Sequence, residues 1–342
     1  MKTLLFISLF TLALLGCNDA SKPKYTPIVS VQIHDVVKDS LLNIRALEIE
    51  GHRVRAVSSI GDVYTLDIRT NEVNISRVFQ DTINFRASAL VNDHYFVLSI
   101  GSPAYLFKNQ KLVYTETHPD VFYDALHFWN SLEGIAIGDP IDGCMSMLIT
   151  RDGGESWNKV SCDGLPSSYK GEAAFAASDT NIAIMGNQTW VATGGFSSRV
   201  LISQDKGVSW GVVDTPIIQG KETTGIFSID FYDSLNGFAI GGDYTTPKAQ
   251  HSNKIRTSDG GFSWEVVAQD LPPGYRSCIQ YVPNSNAQGL VAVGVAGIDV
   301  SNNAGESWKH ISDESFYTVR FLNDSIAYAA GKGKISKIIF NK

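Results

Sequence analysis

The sequence predicts an all-β chain folded as a single seven-bladed β-propeller with four-stranded blades, and three observations lead there. First, four segments share one layout: TRDGGESW (Thr150 to Trp157), SQDKGVSW (Ser203 to Trp210), TSDGGFSW (Thr257 to Trp264) and SNNAGESW (Ser301 to Trp308). Second, their tryptophans recur at intervals of 53, 54 and 44 residues, a loose period in the range of propeller blades. Third, a strand-turn-strand pattern stands ahead of the boxes, as in DALHFWNSLEGIAIGD (Asp124 to Asp139) and SIDFYDSLNGFAIGGD (Ser228 to Asp243). Its two strands, added to the two that flank the box, make four per unit.

Each box reads as a tight hairpin. Asp152, Asp205 and Asp259, with Asn303 in the fourth copy, accept from backbone N–H groups inside the turn. Gly154, Gly207, Gly261 and Gly305 take the positive-φ position. Trp157, Trp210, Trp264 and Trp308 open the returning strand, each expected to bury a large apolar surface and so to hold structure rather than carry chemistry.

From the N-terminus, MKTLLFISLFTLALLGC places one lysine before an apolar run too short for a comfortable membrane span. Residues 1–16 are expected to be a signal peptide, and residues 17–27 a lipid-bearing Cys17 with a polar tether. The propeller then fills 28–342. Inner strands are expected to start near Arg45, Arg86, Asp124, Glu172, Ile226, Arg276 and Tyr317. The last unit holds three strands of its own, so the alternating stretch Ile28 to His34 is expected to supply its fourth and to pair an otherwise open edge.

Composition excludes several classes. A net charge of −7 speaks against a nucleic-acid partner. The seven histidines are scattered and the cysteines lack metal spacing, so no metal is expected; no dinucleotide fingerprint opens a helix, so no cofactor is expected. Export makes disulfides possible. Cys144 and Cys162 lie nine residues either side of Gly153, opposite one another in a regular hairpin, and form a candidate bridge. Cys278 is expected as a buried free thiol.

The boxes resemble Asp-box (BNR) repeats, and the longer unit, with its FxxxxxGxAxG run, is similar to the YCF48 type related to photosystem II assembly factors. The Leu14-Leu15-Gly16-Cys17 ending resembles a bacterial lipobox. The resemblance covers roughly residues 28 to 342 and implies a lipid-anchored propeller on the bacterial cell envelope. It is poorly specific for activity, because similar repeats occur in sialidases, xyloglucan hydrolases, sortilin-like receptors and assembly factors.

With boxes and first turns at one end of each blade, the long loops fall at the other: GDPIDGC (Gly138 to Cys144), GNQTWVATGGFSS (Gly186 to Ser198) and GGDYTTPKAQHS (Gly241 to Ser252). Loops on a rigid scaffold commonly carry binding residues. Candidates gathered there are Arg45, Arg86, Asp124, Trp190, Arg199, Tyr244, Tyr275 and Arg276. They suit a funnel that stacks and hydrogen-bonds a glycan or a peptide from an envelope protein, in a monomer without turnover of its own. The alternative is a glycoside hydrolase with a flanking carboxylate pair drawn from Asp139, Glu172 and Asp243. A sialidase would need an Arg-Ile-Pro start, where this chain reads IRAL and FRAS.

Overall fold

A computed structural model describes residues 25–79 and 81–342. Among these residues there is no α-helix; one 3-10 turn spans Cys162–Gly164. Antiparallel sheets follow one another along the chain, each a four-stranded meander running from an innermost strand outward, and the one that begins at Thr224–Phe231 is extended to six strands by Gly194–Gly195 and Glu172–Ala173. Their innermost strands are Phe85–Val91, Tyr123–Phe128, Ile182–Met185, Thr224–Phe231 and Cys278–Tyr281. A further, seven-stranded sheet joins the two ends of the chain. In it Thr318–Phe321, Ile326–Ala330 and Lys332–Asn341 are followed by Ser30–Glu50, then Arg53–Ser58, Asp62–Asp67 and Val73–Arg77.

Ser30–Glu50 serves both halves of that sheet. Ser30 to Lys38 pairs with Asn341 to Lys334, after which an irregularity between Lys38 and Asn43 lets Ile44 to Glu50 pair with Ser58 to Arg53. The N-terminal strand thus pairs the edge that the C-terminal strands would leave open. The innermost strands neighbour one another in chain order, and Thr318–Phe321 lies beside Ser30–Glu50. Apolar clusters fill the spaces between adjacent sheets; in one, Phe96 and Leu106 pack against Tyr123, Leu126 and Trp157.

The boxes stitch each sheet to the one before it. Asp152 accepts from the Ser156 N–H at 3.0 Å and the Ser156 hydroxyl at 2.6 Å, and Thr150 Oγ1 accepts from the Gly154 N–H at 2.9 Å. The Ser156 hydrogen bonds hold Asp152 down at about 2. At Gly154 φ is +78°, and a Cβ would stand 2.2 Å from the Phe96 ring of the preceding sheet. Gly305 repeats this against Phe238 at 2.1 Å. Only glycine meets both demands. Of the box tryptophans Trp157 is buried; Trp210, Trp264 and Trp308 are half-buried and donate Nε1 to their own box glycine carbonyls. Asn303 reproduces the turn, accepting from the Ser307 N–H at 3.0 Å while its amide donates to the Ser307 hydroxyl.

Cys144 and Cys162 form a disulfide with a Cα–Cα distance of 5.5 Å. The returning strand is short, Asn158–Lys159, so Cys162 reaches Cys144 from the 3-10 turn rather than from a hairpin strand. Cys278 is a buried free thiol in an innermost strand.

Two expectations are corrected. The inner strand placed near Glu172 starts at Ile182, and the loop drawn through Gly186 to Ser198 contains the strand Gln188–Ala192. The run from Ala174 to Asn181 instead enters the central channel. Arg45 Nη1 donates to the Ala177 carbonyl at 3.2 Å, and the Asp179 carboxylate accepts from the N–H groups of Ser88 at 2.7 Å and Leu126 at 3.0 Å. Ser178 donates to the Ser277 carbonyl, Thr180 bonds the Ser228 hydroxyl at 2.7 Å, and Thr318 donates to the Ser178 carbonyl at 3.0 Å. Alanines and short polar side chains pass where large β-branched residues would not. Among the described residues one segment therefore touches the inner strands of all five other sheets, the seven-stranded one through both of its halves.

Candidate functional site in the central funnel

The channel segment divides the axial space. On the side away from the boxes it floors a cavity of about 540 Å³, contributing Ala173 to Ala177. The walls come from the starts of inner strands and from the loops beside them. Phe175 stacks on Phe227 at 3.8 Å, and Tyr275 meets Phe227 edge-on at 4.8 Å. Tyr244, half exposed at the rim, stands edge-on to the same ring at 6.1 Å. Arg45 lies over the Tyr317 ring at 4.3 Å.

Two guanidinium groups face this cavity with donors to spare. Arg86 lines it and makes no hydrogen bond or ion pair among the described residues. Burial, and secondarily the charge of Arg45, lowers its pKa, while Asp124 opposes that shift. Arg45 uses Nη1 on the channel segment, and its buried Nε has no partner. Among the described residues two acids line the cavity: Glu222, which is exposed, and Asp139, which accepts from the Ala174 N–H at 2.9 Å. Burial pushes its carboxyl up to about 6 against that hydrogen bond. Asp124 is fully buried just behind, facing the Ala176 N–H without standard hydrogen-bond geometry. Burial, and then the charge of Asp139, holds it well above the ordinary carboxylate range.

The other sequence candidates sit elsewhere. Trp190, expected as a stacking platform, is fully buried within Gln188–Ala192; it stacks on Phe231 at 3.5 Å and donates Nε1 to the Gly260 carbonyl at 2.7 Å. Glu172 and Arg199 hold each other: Arg199 Nε and Nη2 reach the carboxylate at 3.0 and 2.7 Å, and Thr193 donates at 2.6 Å. Arg276 is buried against Asp299, with Nε at 2.7 Å, and donates Nη1 to the Tyr275 carbonyl. Asp243 accepts from the Thr245 N–H and hydroxyl at 2.9 and 2.6 Å. Burial alone would raise Asp243, but these bonds and Lys221 bring it below its ordinary value.

Of the three carboxylates weighed for hydrolysis, the cavity thus takes Asp139 and leaves Glu172 and Asp243 in their own networks. Phe175, Phe227 and Tyr317 line it and were not among the sequence candidates. Phe175 was hidden by the misplaced inner strand. Phe227 stands beside Ile226, the expected strand start, so alternation along that strand was the available signal.

No protein-family model matches the chain, and no curated protein sequence does. Among solved structures the chain is similar to YCF48 bound to D1 peptide, with a TM-score of 0.65 at 9% identity, covering 93% of this chain and 99% of that one. YCF48 from Cyanidioschyzon merolae gives 0.65 at 9% identity over 91% and 99% of the two chains. The RRP9 WD40 repeats give 0.62 at 10% identity over 91% and 98%. At such identities the likeness shows the fold, a β-propeller.

Proposed function

We propose that this chain is a non-catalytic binding or assembly module, a monomeric seven-bladed propeller that captures a polypeptide segment of an envelope protein in its funnel. The observation that carries the reading is the pair Arg45 and Arg86, with unused donors beside an aromatic wall in one cavity. A guanidinium that folding leaves without a partner gains more from a carboxylate than one already paired. Phe227, Tyr244 and Tyr275 supply apolar surface for a neighbouring side chain of the segment. The similar structure that holds a D1 peptide supports a protein segment over a glycan. A glycoside hydrolase would require a second carboxylate beside Asp139; Glu172 and Asp243 stay in their own networks, and the other acid lining the cavity, Glu222, is solvent-exposed.

The same reading places the protein outside the cytoplasm, lipid-anchored to the bacterial envelope through Cys17 after removal of residues 1–16. Cys17 lies outside the described residues. Among those residues no helix is long and apolar enough to cross a membrane. The seventh blade is the set of C-terminal strands completed by Ser30 to Lys38.

The test is selection from displayed peptide and glycan libraries against the chain carrying Cys17→Ser. Peptides pairing a carboxylate with an apolar side chain should be enriched. Arg45→Ala with Arg86→Ala should weaken their capture by roughly 10–100-fold, as expected for losing charge-assisted bonds. Enrichment indifferent to both arginines would place the binding face elsewhere. A glycan cleaved by the parent and spared by Asp139→Asn would establish the hydrolase instead.

A further inference from the structure

The ends of the sheets away from the funnel carry a feature that peptide capture does not use. Turns between first and second strands, and between third and fourth strands, all emerge at this end. On three consecutive sheets the tips of these turns are apolar and exposed: Leu132, Val208, Leu235 and Phe262 are 57%, 73%, 54% and 54% exposed. Tips elsewhere at this end read Gly51-His52, Asn92-Asp93, Asn109-Gln110 and Asn323-Asp324-Ser325. A groove beside Phe262 continues the patch along Val212 and Val213.

Apolar exposure alone does not choose a partner, since Phe196, Tyr244 and Val295 are also exposed at the funnel end. The entry point of the chain does. Ser30 pairs with Asn341 at the box end of its strand, and the preceding residues are fastened there: Tyr25 donates to Asn302 at 2.7 Å, and Asn302 exchanges two bonds with the backbone of Ile28. Tyr25 is the eighth residue after Cys17, a reach of at most about 29 Å fully extended. A lipid on Cys17 therefore holds the box end toward the membrane and the funnel away from it.

We propose that the box end rests on the bilayer, with Leu132, Val208, Leu235 and Phe262 entering the interfacial layer of the lipid. This rests on the reading that Cys17 carries the anchor. Burying several exposed aliphatic and aromatic tips adds to the attachment, and it turns the funnel mouth toward partners that approach from the far side. A net charge of −7 gives no attraction to anionic lipid, so the contact is apolar and operates on zwitterionic surfaces.

The experiment places an environment-sensitive nitrobenzoxadiazole label at Phe262→Cys or at Tyr244→Cys, one at each end of the molecule. Cys278 is buried, Cys144 and Cys162 are bonded, and Cys17 is absent from the tagged chain and thioether-linked in a lipidated full chain, so the new thiol takes the label. Both proteins are bound to phosphatidylcholine vesicles containing spin-labelled lipid in two arms. One arm uses the full chain with its own anchor; in the other a hexahistidine tag replaces residues 1–17 and grips a nickel-chelating lipid. The label at 262 should shift to the blue and lose more than half its emission, whereas the label at 244 should stay unquenched. Val208→Ser with Leu235→Ser should reduce the quenching at 262. Quenching at 244 instead, or at neither position, overturns the proposal, and the second result would give the apolar tips to a protein partner. Failure of the full chain to reach vesicles, with the expected pattern in the tagged arm, would refute the anchor at Cys17 while leaving the membrane-facing end in place.

Discussion

Replacing Arg199 by alanine separates a structural ion pair from a ligand-binding arginine. The Glu172 side chain is wholly buried and that of Arg199 is 5% exposed. Four donors converge on the carboxylate: the Tyr169 N–H at 2.9 Å, the Thr193 hydroxyl at 2.6 Å, and Arg199 Nε and Nη2 at 3.0 and 2.7 Å. Arg199→Ala would leave that charge facing two neutral donors in a dry site, a loss of about 3–5 kcal/mol; Glu172→Ala strands the guanidinium at similar cost. Replacing both by methionine removes the two charges together, and should cost well below the sum of the single changes. Urea midpoints read by tryptophan fluorescence measure each term, and peptide capture is measured where every variant remains folded. Glu172–Ala173 pairs with Gly194–Gly195 and so fixes where the channel segment begins, which makes the loss global rather than local. A single change costing under about 1 kcal/mol would refute the reasoning, as would additivity within about 0.5 kcal/mol. Capture abolished in an otherwise stable Arg199→Ala would return that residue to the binding site.

Trp190→Ala should cost about 3–5 kcal/mol through the cavity it leaves against Phe231, read as a lowered thermal midpoint with capture intact below it. Asp139 has a folded value of about 6 against an ordinary 3.8, so the folded chain binds this proton more tightly than the unfolded chain. Its stabilisation is full below about pH 3.8 and is lost as pH rises through about 6, at most about 3 kcal/mol. Asp139→Asn, which keeps an acceptor for the Ala174 N–H, should flatten the difference in stability between pH 4 and pH 7 relative to the parent; an unchanged profile would refute this. A carboxylate ligand should bind the parent more tightly below pH 6, where Asp139 is neutral, and titration calorimetry at pH 5 and pH 7.5 measures it. Cys144→Ser with Cys162→Ser should lose about 3 kcal/mol by freeing the unfolded chain, and reductant should then leave the variant's midpoint unmoved.

The box turns were legible because their chemistry is local. Asp152, Gly154 and Trp157 each answer to the geometry of one hairpin, and Asn303 keeps that geometry with an amide. Strand order was legible from the recurring units, and the role of Ile28 to His34 followed from a missing strand together with its own period-two alternation. The fourth inner strand was misplaced because EAAFAASDTN stands where the repeat template expects an inner strand, while its hydrogen bonds go across the channel to partners as distant in sequence as Thr318. That error carried Glu172, Trp190 and Arg199 into the candidate site. Arg45 and Arg86 face the funnel as expected, whereas Arg276 does not, because Asp299, on the second neighbouring strand, offers it a buried partner. Composition could not distinguish a paired arginine from a free one.

The channel segment also bears on how the molecule acquires its shape. In stacked arrays each unit touches only its neighbours, so units fold and open nearly independently. Here Ala174 to Asn181, near the middle of the chain, bonds to Arg45 near the beginning and to Thr318 and Arg320 near the end. Those bonds cannot form until the last strands exist, so the axle is set in place late, after most of the loop-closure entropy has been spent. Once set, it withholds partial openings from any single blade, and the route to unfolding passes through loss of the axle for all of them at once.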